Sequence, residues 1–265
     1  MTKLPGTMPS NNYILDAVKV SRNFGGLKAV DQVDFFVKKR EIMGLIGPNG
    51  AGKTTLFNLF TGHYQPSGGE IYFKNEKISG LKPYQITAKG LARTFQNIRL
   101  FSKMTVLDNV LIGRHTRTAS GLIGAILRRQ ADRREEAEAR DVAISLLEFV
   151  RLEDKKDEQA GNLSYGEQRR LEVARALAAE PELLLLDEPA AGMNPQETIN
   201  LMKLISRIRD EMNKTILLIE HDMKVVMGIS ERVAVLNYGR KIAEGTPSEI
   251  QGNEDVIHAY LGVST

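Results

Sequence analysis

Residues 47–54 read Gly-Pro-Asn-Gly-Ala-Gly-Lys-Thr, a match to G-x-x-x-x-G-K-[ST], and this match restricts the fold more than any other feature of the chain. The motif requires a strand before it and a helix after it. Both flanks are present: Ile42-Met43-Gly44-Leu45-Ile46 is apolar and branched, and residues 54–61 carry helical apolar spacing. Glycines let the backbone turn so that successive N–H groups converge on phosphate oxygens, while the following helix adds the positive end of its dipole. Lys53 supplies a cation to the β- and γ-phosphates of a nucleotide, and the Thr54 hydroxyl is a ligand for Mg²⁺. The expected phosphate-binding set is Gly47, Pro48, Asn49, Gly50, Ala51, Gly52, Lys53, Thr54 and Thr55.

A loop of this kind belongs to an α/β sheet, and the remaining sequence agrees. Segments 14–20 and 33–37 are short and branched, and a Gly68-Gly69 turn introduces 71–73, which suggests an antiparallel edge. The runs 183–186, 215–219 and 233–236 are apolar apart from Thr215, as parallel strands buried on both faces are, with helical stretches of crossover length between them. From 106 to 161 the chain is rich in Ala, Leu, Arg and Glu and holds no Pro. Residues 105–161 are therefore read as a helical subdomain inserted in the sheet domain. Within it, 121–127 is a small apolar patch suited to a partner or to neighbouring helices. Residues 132–141 alternate charge sign as a solvated helix face does.

Composition limits the remaining choices. The 36 Lys and Arg exceed the 33 Asp and Glu by three and are spread along the chain, which argues against a nucleic-acid partner. With no Cys and four unclustered His, thiol nucleophiles and Cys-type zinc sites are excluded and a structural metal is not expected. No apolar run approaches the roughly 18–20 residues that cross a bilayer. Residues 1–12 are polar with Pro5 and Pro9 and lack the apolar centre of a secretion signal. They read as a loose lead into one domain over 13–265, and a cytosolic location is the default.

A second acidic site follows the apolar run Leu183-Leu184-Leu185-Leu186. Asp187 then stands at the carboxyl edge of the sheet, where α/β proteins hold ligands, and can bind Mg²⁺ directly or through water. Glu188 is placed to polarise the attacking water. Alone, such an ending is common in ordinary strands; with the phosphate loop upstream it reads as functional.

The chain resembles ATP-binding-cassette (ABC) transporter ATPases at Leu163-Ser164-Tyr165-Gly166-Glu167-Gln168, that family's signature segment, which lies one short helix before the Asp187 strand. The resemblance implies a P-loop NTPase core with an antiparallel β subdomain and an inserted helical subdomain. In that division, 13–104 and 162–265 form the core and 105–161 the helices. It implies ATP and Mg²⁺ as ligands, and a head-to-tail dimer in which Ser164 and Gly166 grip the γ-phosphate held by the opposite subunit. Gln96 matches the family's glutamine that senses Mg²⁺ and the attacking water, and is counted among both the catalytic and the metal residues. His221 matches the γ-phosphate histidine, and Phe24 falls where an aromatic ring stacks on adenine. By itself, Phe24 reads equally well as core.

Two segments depart from the common pattern. Tyr165 and Glu167 stand where Gly and Gln are usual, and Asn194 stands where Asp is usual. Finer likeness at Gly113-Arg114-His115, 128–141, Ala190-Ala191-Gly192-Met193-Asn194-Pro195 and Ala259-Tyr260-Leu261-Gly262 is to ATPases of branched-chain or neutral amino acid importers. The implied partners are membrane permease subunits, a second ATPase of the same or a related sequence, and, indirectly, a solute-binding protein. The implied location is the cytoplasmic face of the membrane. The alternatives are a lipid or lipopolysaccharide exporter, a non-transport cassette acting on ribosomes or DNA, and a nucleotide-binding module without turnover.

Overall fold

The computed structural model describes residues 12–114 and 130–261. The lead before residue 12, the apolar patch 121–127, His115, Arg128, Arg129 and Gly262 lie outside those residues. In chain order the strands are β1 (Tyr13–Phe24), β2 (Leu27–Lys38), β3 (Ile42–Ile46), β4 (Gly68–Phe73), β5 (Glu76–Lys77), β6 (Leu91–Arg93), β7 (Leu183–Asp187), β8 (Thr215–Ile219), β9 (Arg232–Asn237) and β10 (Arg240–Gly245). The helices are α1 (Lys53–Phe60), α2 (Pro83–Ala88), α3 (Val106–Arg114), α4 (Gln130–Phe149), α5 (Tyr165–Leu177), α6 (Pro195–Met212), α7 (Met223–Ile229), α8 (Pro247–Gln251) and α9 (Glu254–Leu261). Two compact units divide the chain, one of residues 1–83 with 206–265 and one of residues 84–205.

The first unit carries an antiparallel sheet in the order β2-β1-β4-β5. Val30, Val33, Phe35 and Val37 of β2 are buried between more exposed neighbours, the alternation expected of a sheet with one solvated face. β1 runs to Phe24, past the 14–20 segment, because its pairing with β2 shifts register between Ala17 and Val20 and resumes at Arg22 opposite Val30. Gly68 and Gly69 begin β4 and do not form a separate turn; Ser21 pairs with Gly68. Gly69 has φ of 77°, and a Cβ there would lie 2.3 Å from the Lys19 carbonyl oxygen. The glycine thus accommodates the irregular pairing of β1.

Also in this unit, β10, β9, β3 and β8 lie side by side in that order. β3 is parallel to both β8 and β9, and β10 returns antiparallel. Every residue of β3 and β8 is buried, which accounts for their unbroken apolar sequence. Ile46, Val226, Val233, Val235, Ile250 and Val256 form one cluster that seats α7, α8 and α9. The Phe35 and Phe60 rings, 5.6 Å apart, join β2 to α1.

In the second unit β6 and β7 pair in parallel, with Leu91 opposite Leu183. α3, α4 and α5 supply its helical part. Gly113 marks a close crossing, since a Cβ there would stand 2.1 Å from the Arg175 carbonyl oxygen. Asn109 is fully buried and closes the preceding loop by accepting from Phe101 N–H and donating to Phe101 O. Among the described residues no helix is long and apolar enough to cross a membrane.

Candidate active site

The phosphate loop joins β3 to α1. Gly47, Gly50 and Gly52 have φ of 150°, 79° and 103°, values that side-chain-bearing residues rarely adopt. A Cβ on Gly47 would lie 2.1 Å from the Leu236 carbonyl oxygen, and one on Gly52 2.4 Å from that of Ala29. Backbone on both sides thus fixes glycine at the two ends of the loop. Lys53 is only 6% exposed, and its ammonium donates to the carbonyls of Gly47 at 2.7 Å and Pro48 at 3.0 Å. The cation is therefore held against the loop. Gly239 N–H donates to Ala51 O at 3.0 Å and braces the loop from the β9–β10 turn. Left-handed glycines, a lysine ammonium and a helix start together suit the phosphates of a nucleotide. Thr54 and Thr55 follow in the first turn of α1, Thr54 exposed.

Phe24 and His221 lie in the same unit. Phe24 closes β1 with its ring 39% exposed, edge-on to Tyr64 at 5.2 Å, with the Arg22 guanidinium 4.7 Å from its centroid. It is therefore not a core residue. His221 is exposed two residues past the end of β8. Its backbone N–H donates to the Glu220 carboxylate at 3.1 Å, and the next residue, Asp222, caps α7 by accepting from Lys224 N–H at 2.8 Å.

The second unit holds Asp187, Glu188, Gln96, Ser164 and Gly166. All five residues of β7 are buried, and Asp187 at its end meets Arg93 of β6 at 2.6 Å, with both side chains less than a tenth exposed. Glu188 follows with φ of 47°, an uncommon backbone that costs on the order of 1–3 kcal/mol in a non-glycine residue and is typical of functional positions. Its carboxylate accepts from the Gln96 side-chain amide at 2.7 Å, so residues 92 positions apart in sequence are in direct contact. Among the described residues no cluster of three or more His, Asp or Glu could cage a metal. Asp187 offers a single carboxylate, here paired with Arg93; Mg²⁺ is usually held by one or two carboxylates together with substrate phosphates.

The signature segment starts α5 with Ser164 as its cap. Glu167 folds back to accept from the Ser164 N–H and hydroxyl, both at 2.9 Å, and meets Lys155 at 2.8 Å. Lys155 first, then Ser164, hold the Glu167 carboxyl down to about 2. The acid at this position thus orders the helix start through a partner that a glutamine could not pair with as an ion. A Cβ on Gly166 would lie 2.8 Å from the Glu197 carboxylate. The Tyr165 hydroxyl donates to Ala191 O at 2.8 Å, tying α5 to the segment after Glu188. Asn194, the other departure, caps α6: its side-chain oxygen accepts from Glu197 N–H at 2.9 Å and its N–H donates back to Glu197 at 3.0 Å.

Sequence reading missed Arg93 and Lys155 as partners of these residues, and with them Arg169, which donates to the Tyr165 hydroxyl at 3.2 Å. Arg93 sits on a three-residue strand, and Arg169 on a charged helix where an arginine ordinarily marks the solvated face. Lys155 lies in a run of mixed charge that singles out no one side chain.

Residues 30–191 match the family model of the ABC transporter, and residues 240–264 match that of the branched-chain amino acid ATP-binding cassette transporter. The chain is 53% identical over 239 residues to the high-affinity branched-chain amino acid transport ATP-binding protein LivG of Salmonella typhimurium, covering 90% of this chain and 94% of that one. It is 49% identical to BraF of Pseudomonas aeruginosa, which carries the same description, over 94% of this chain and 98% of that one. Identity to the lipopolysaccharide export system ATP-binding protein LptB of Escherichia coli is 34%, over 94% and 97%. Among solved structures, a nucleotide-free ATP-binding cassette from an ABC transporter superposes with a TM-score of 0.82 at 31% identity, covering 96% of this chain and all of that one. A dimeric post-hydrolysis cassette bound to ADP and phosphate gives 0.73 at 25%, covering 88% and 98%.

Proposed function

The chain belongs to the ATP-binding-cassette transporter family, and from that premise we propose that it is the energy-coupling ATPase of an importer for branched-chain amino acids. As a cassette of that family it binds and hydrolyses ATP and works with membrane permease subunits and a second cassette. The importer reading is carried by one contrast: identity is 53% to a branched-chain amino acid protein and 34% to a lipopolysaccharide exporter protein. The match of residues 240–264 to the branched-chain model points the same way.

The proposed tasks follow from the chemistry of each residue. Amides of 47–54 and the Lys53 ammonium hold the phosphates, and Phe24 stacks on adenine. Thr54 and Asp187 hold Mg²⁺, with Gln96 beside it; the ion, when bound, neutralises charge on the phosphoryl oxygens. Glu188 polarises the attacking water, and Gln96 orients that carboxylate. His221 contacts the γ-phosphate. Ser164 and Gly166 serve the nucleotide of the opposite subunit, using the N–H groups of a helix start. ATP binding closes the dimer, hydrolysis reopens it, and the Gln96 loop with the helical part passes the stroke to the permease on the cytoplasmic face. A solute-binding protein completes the system.

The test is Mg-ATP turnover of the chain reconstituted with the membrane proteins that copurify with it, with and without binding protein and leucine, isoleucine or valine. Turnover that rises with a branched-chain amino acid supports the importer. Turnover stimulated only by lipid or lipopolysaccharide would replace it with the exporter.

A further inference from the structure

Arg169 is the largest side chain completely buried among the described residues. Its two terminal nitrogens serve four acceptors. One donates to Phe95 O and to the Glu172 carboxylate, each at 2.9 Å. The other donates to Gln96 O at 2.9 Å and to the Tyr165 hydroxyl at 3.2 Å. Glu172, 1% exposed, accepts from Phe95 N–H at 3.2 Å. One ion pair on α5 therefore grips the backbone of residues 95 and 96 through one N–H and two successive carbonyls. The side chain of that same Gln96 is bonded to Glu188, while Tyr165 reaches the segment after Glu188 through Ala191 O.

Burying two full charges is costly, and an apolar pair of similar volume often stabilises a core as well or better. Burial pushes the Glu172 carboxyl up, and Arg169 and the Phe95 N–H act against that rise. An apolar pair could not hold two carbonyls, so the charges are accounted for by position rather than stability. A displacement of the Ser164 end of α5 must carry the 95–96 backbone with it. A shift of about 1 Å would take the Gln96 amide beyond hydrogen-bond range of Glu188.

We propose that Arg169, with Glu172 as counter-ion, is a positioning residue that couples the Ser164–Gly166 end of α5 to Gln96 and so sets whether Glu188 is held by Gln96 or released to water. The proposal rests on the reading of Glu188 as the residue that polarises water. Its test compares kcat and KM for Mg-ATP, together with melting temperature, in the full chain with its membrane partners. The variants are Arg169→Met/Glu172→Met, which removes both charges, and Arg169→Lys, which keeps the charge without the two-pronged donor.

The double variant is expected to melt within about 3 °C of wild type and to keep its KM, with kcat lower by about tenfold or more. A merely structural role would instead move melting temperature and KM together, and that result overturns the proposal. Wild-type kcat in a folded variant also overturns it. If the double variant does not fold, Arg169→Lys decides: a several-fold fall in kcat at unchanged KM supports the coupling. Glu188→Gln separates the role of Glu188 from the coupling. Normal turnover in that variant removes the reading of Glu188 and the proposal with it; an inactive Glu188→Gln beside an unimpaired Arg169→Lys removes only the coupling.

Discussion

Replacing Glu167 with Gln tests why this chain has an acid in its signature segment. In the native protein Lys155, and after it Ser164, lower the carboxyl from an ordinary 4.5 to about 2. At about 1.4 kcal/mol per unit, that difference corresponds to roughly 3 kcal/mol of gross stabilisation. The Glu167 side chain is 18% exposed and that of Lys155 38%, so solvent screening reduces the net to about 1–2 kcal/mol. Glutamine can still accept from the Ser164 N–H but cannot pair with Lys155 as an ion. The expected loss at pH 7 is a melting temperature lower by about 2–6 °C. Because the folded value is depressed, the acid's contribution is full above the unfolded value near 4.5 and is lost as pH falls through about 2. The gap between wild type and variant should therefore be constant from pH 8 to about pH 5.5 and narrow below about pH 4.5. Thermal melts at pH 7, 5.5 and 4 read it directly. Equal stability at pH 7, or a gap that does not narrow at pH 4, would refute the reasoning.

Three further substitutions at two positions probe the loop and the second departure from the family pattern. Gly52→Ala forces a side chain at φ of 103° against the Ala29 carbonyl; nucleotide affinity, followed with a fluorescent ATP analogue, should fall by about tenfold or more. Asn194→Ala should cost about 1 kcal/mol through loss of the α6 cap, while Asn194→Asp should retain stability in urea titrations.

The fold was legible where one local pattern decided the outcome. Ile42–Ile46 and Thr215–Ile219 are strands with the bounds their runs suggest, because burial on both faces leaves no charged position to blur the ends. The end of β1 was not legible: polar Ser21-Arg22-Asn23 breaks the alternation, and only pairing with β2 and β4 carries the strand to Phe24. Gly68-Gly69 reads as a turn because a sequence does not reveal that a carbonyl from β1 presses against Gly69. At the site, the residue types of the loop, Asp187 and Glu188 stand out because their chemistry is concentrated in short motifs. The contact of Gln96 with Glu188 and the grip of Arg169 on residues 95 and 96 depend on long-range packing that local pattern does not encode. Asn194 stands out in sequence only as a departure from the usual Asp, and the cap its amide oxygen gives α6 is visible only in the structure.

The central claim is that this chain turns over ATP by means of Glu188. Purified wild type and Glu188→Gln, each with its membrane partners, should be compared for steady-state phosphate release and for radiolabelled ATP retained after gel filtration. The Gln variant is expected to release phosphate at about a hundredth of the wild-type rate or less and to elute in its complex still carrying ATP. Phosphate release by that variant at the wild-type rate would contradict that claim.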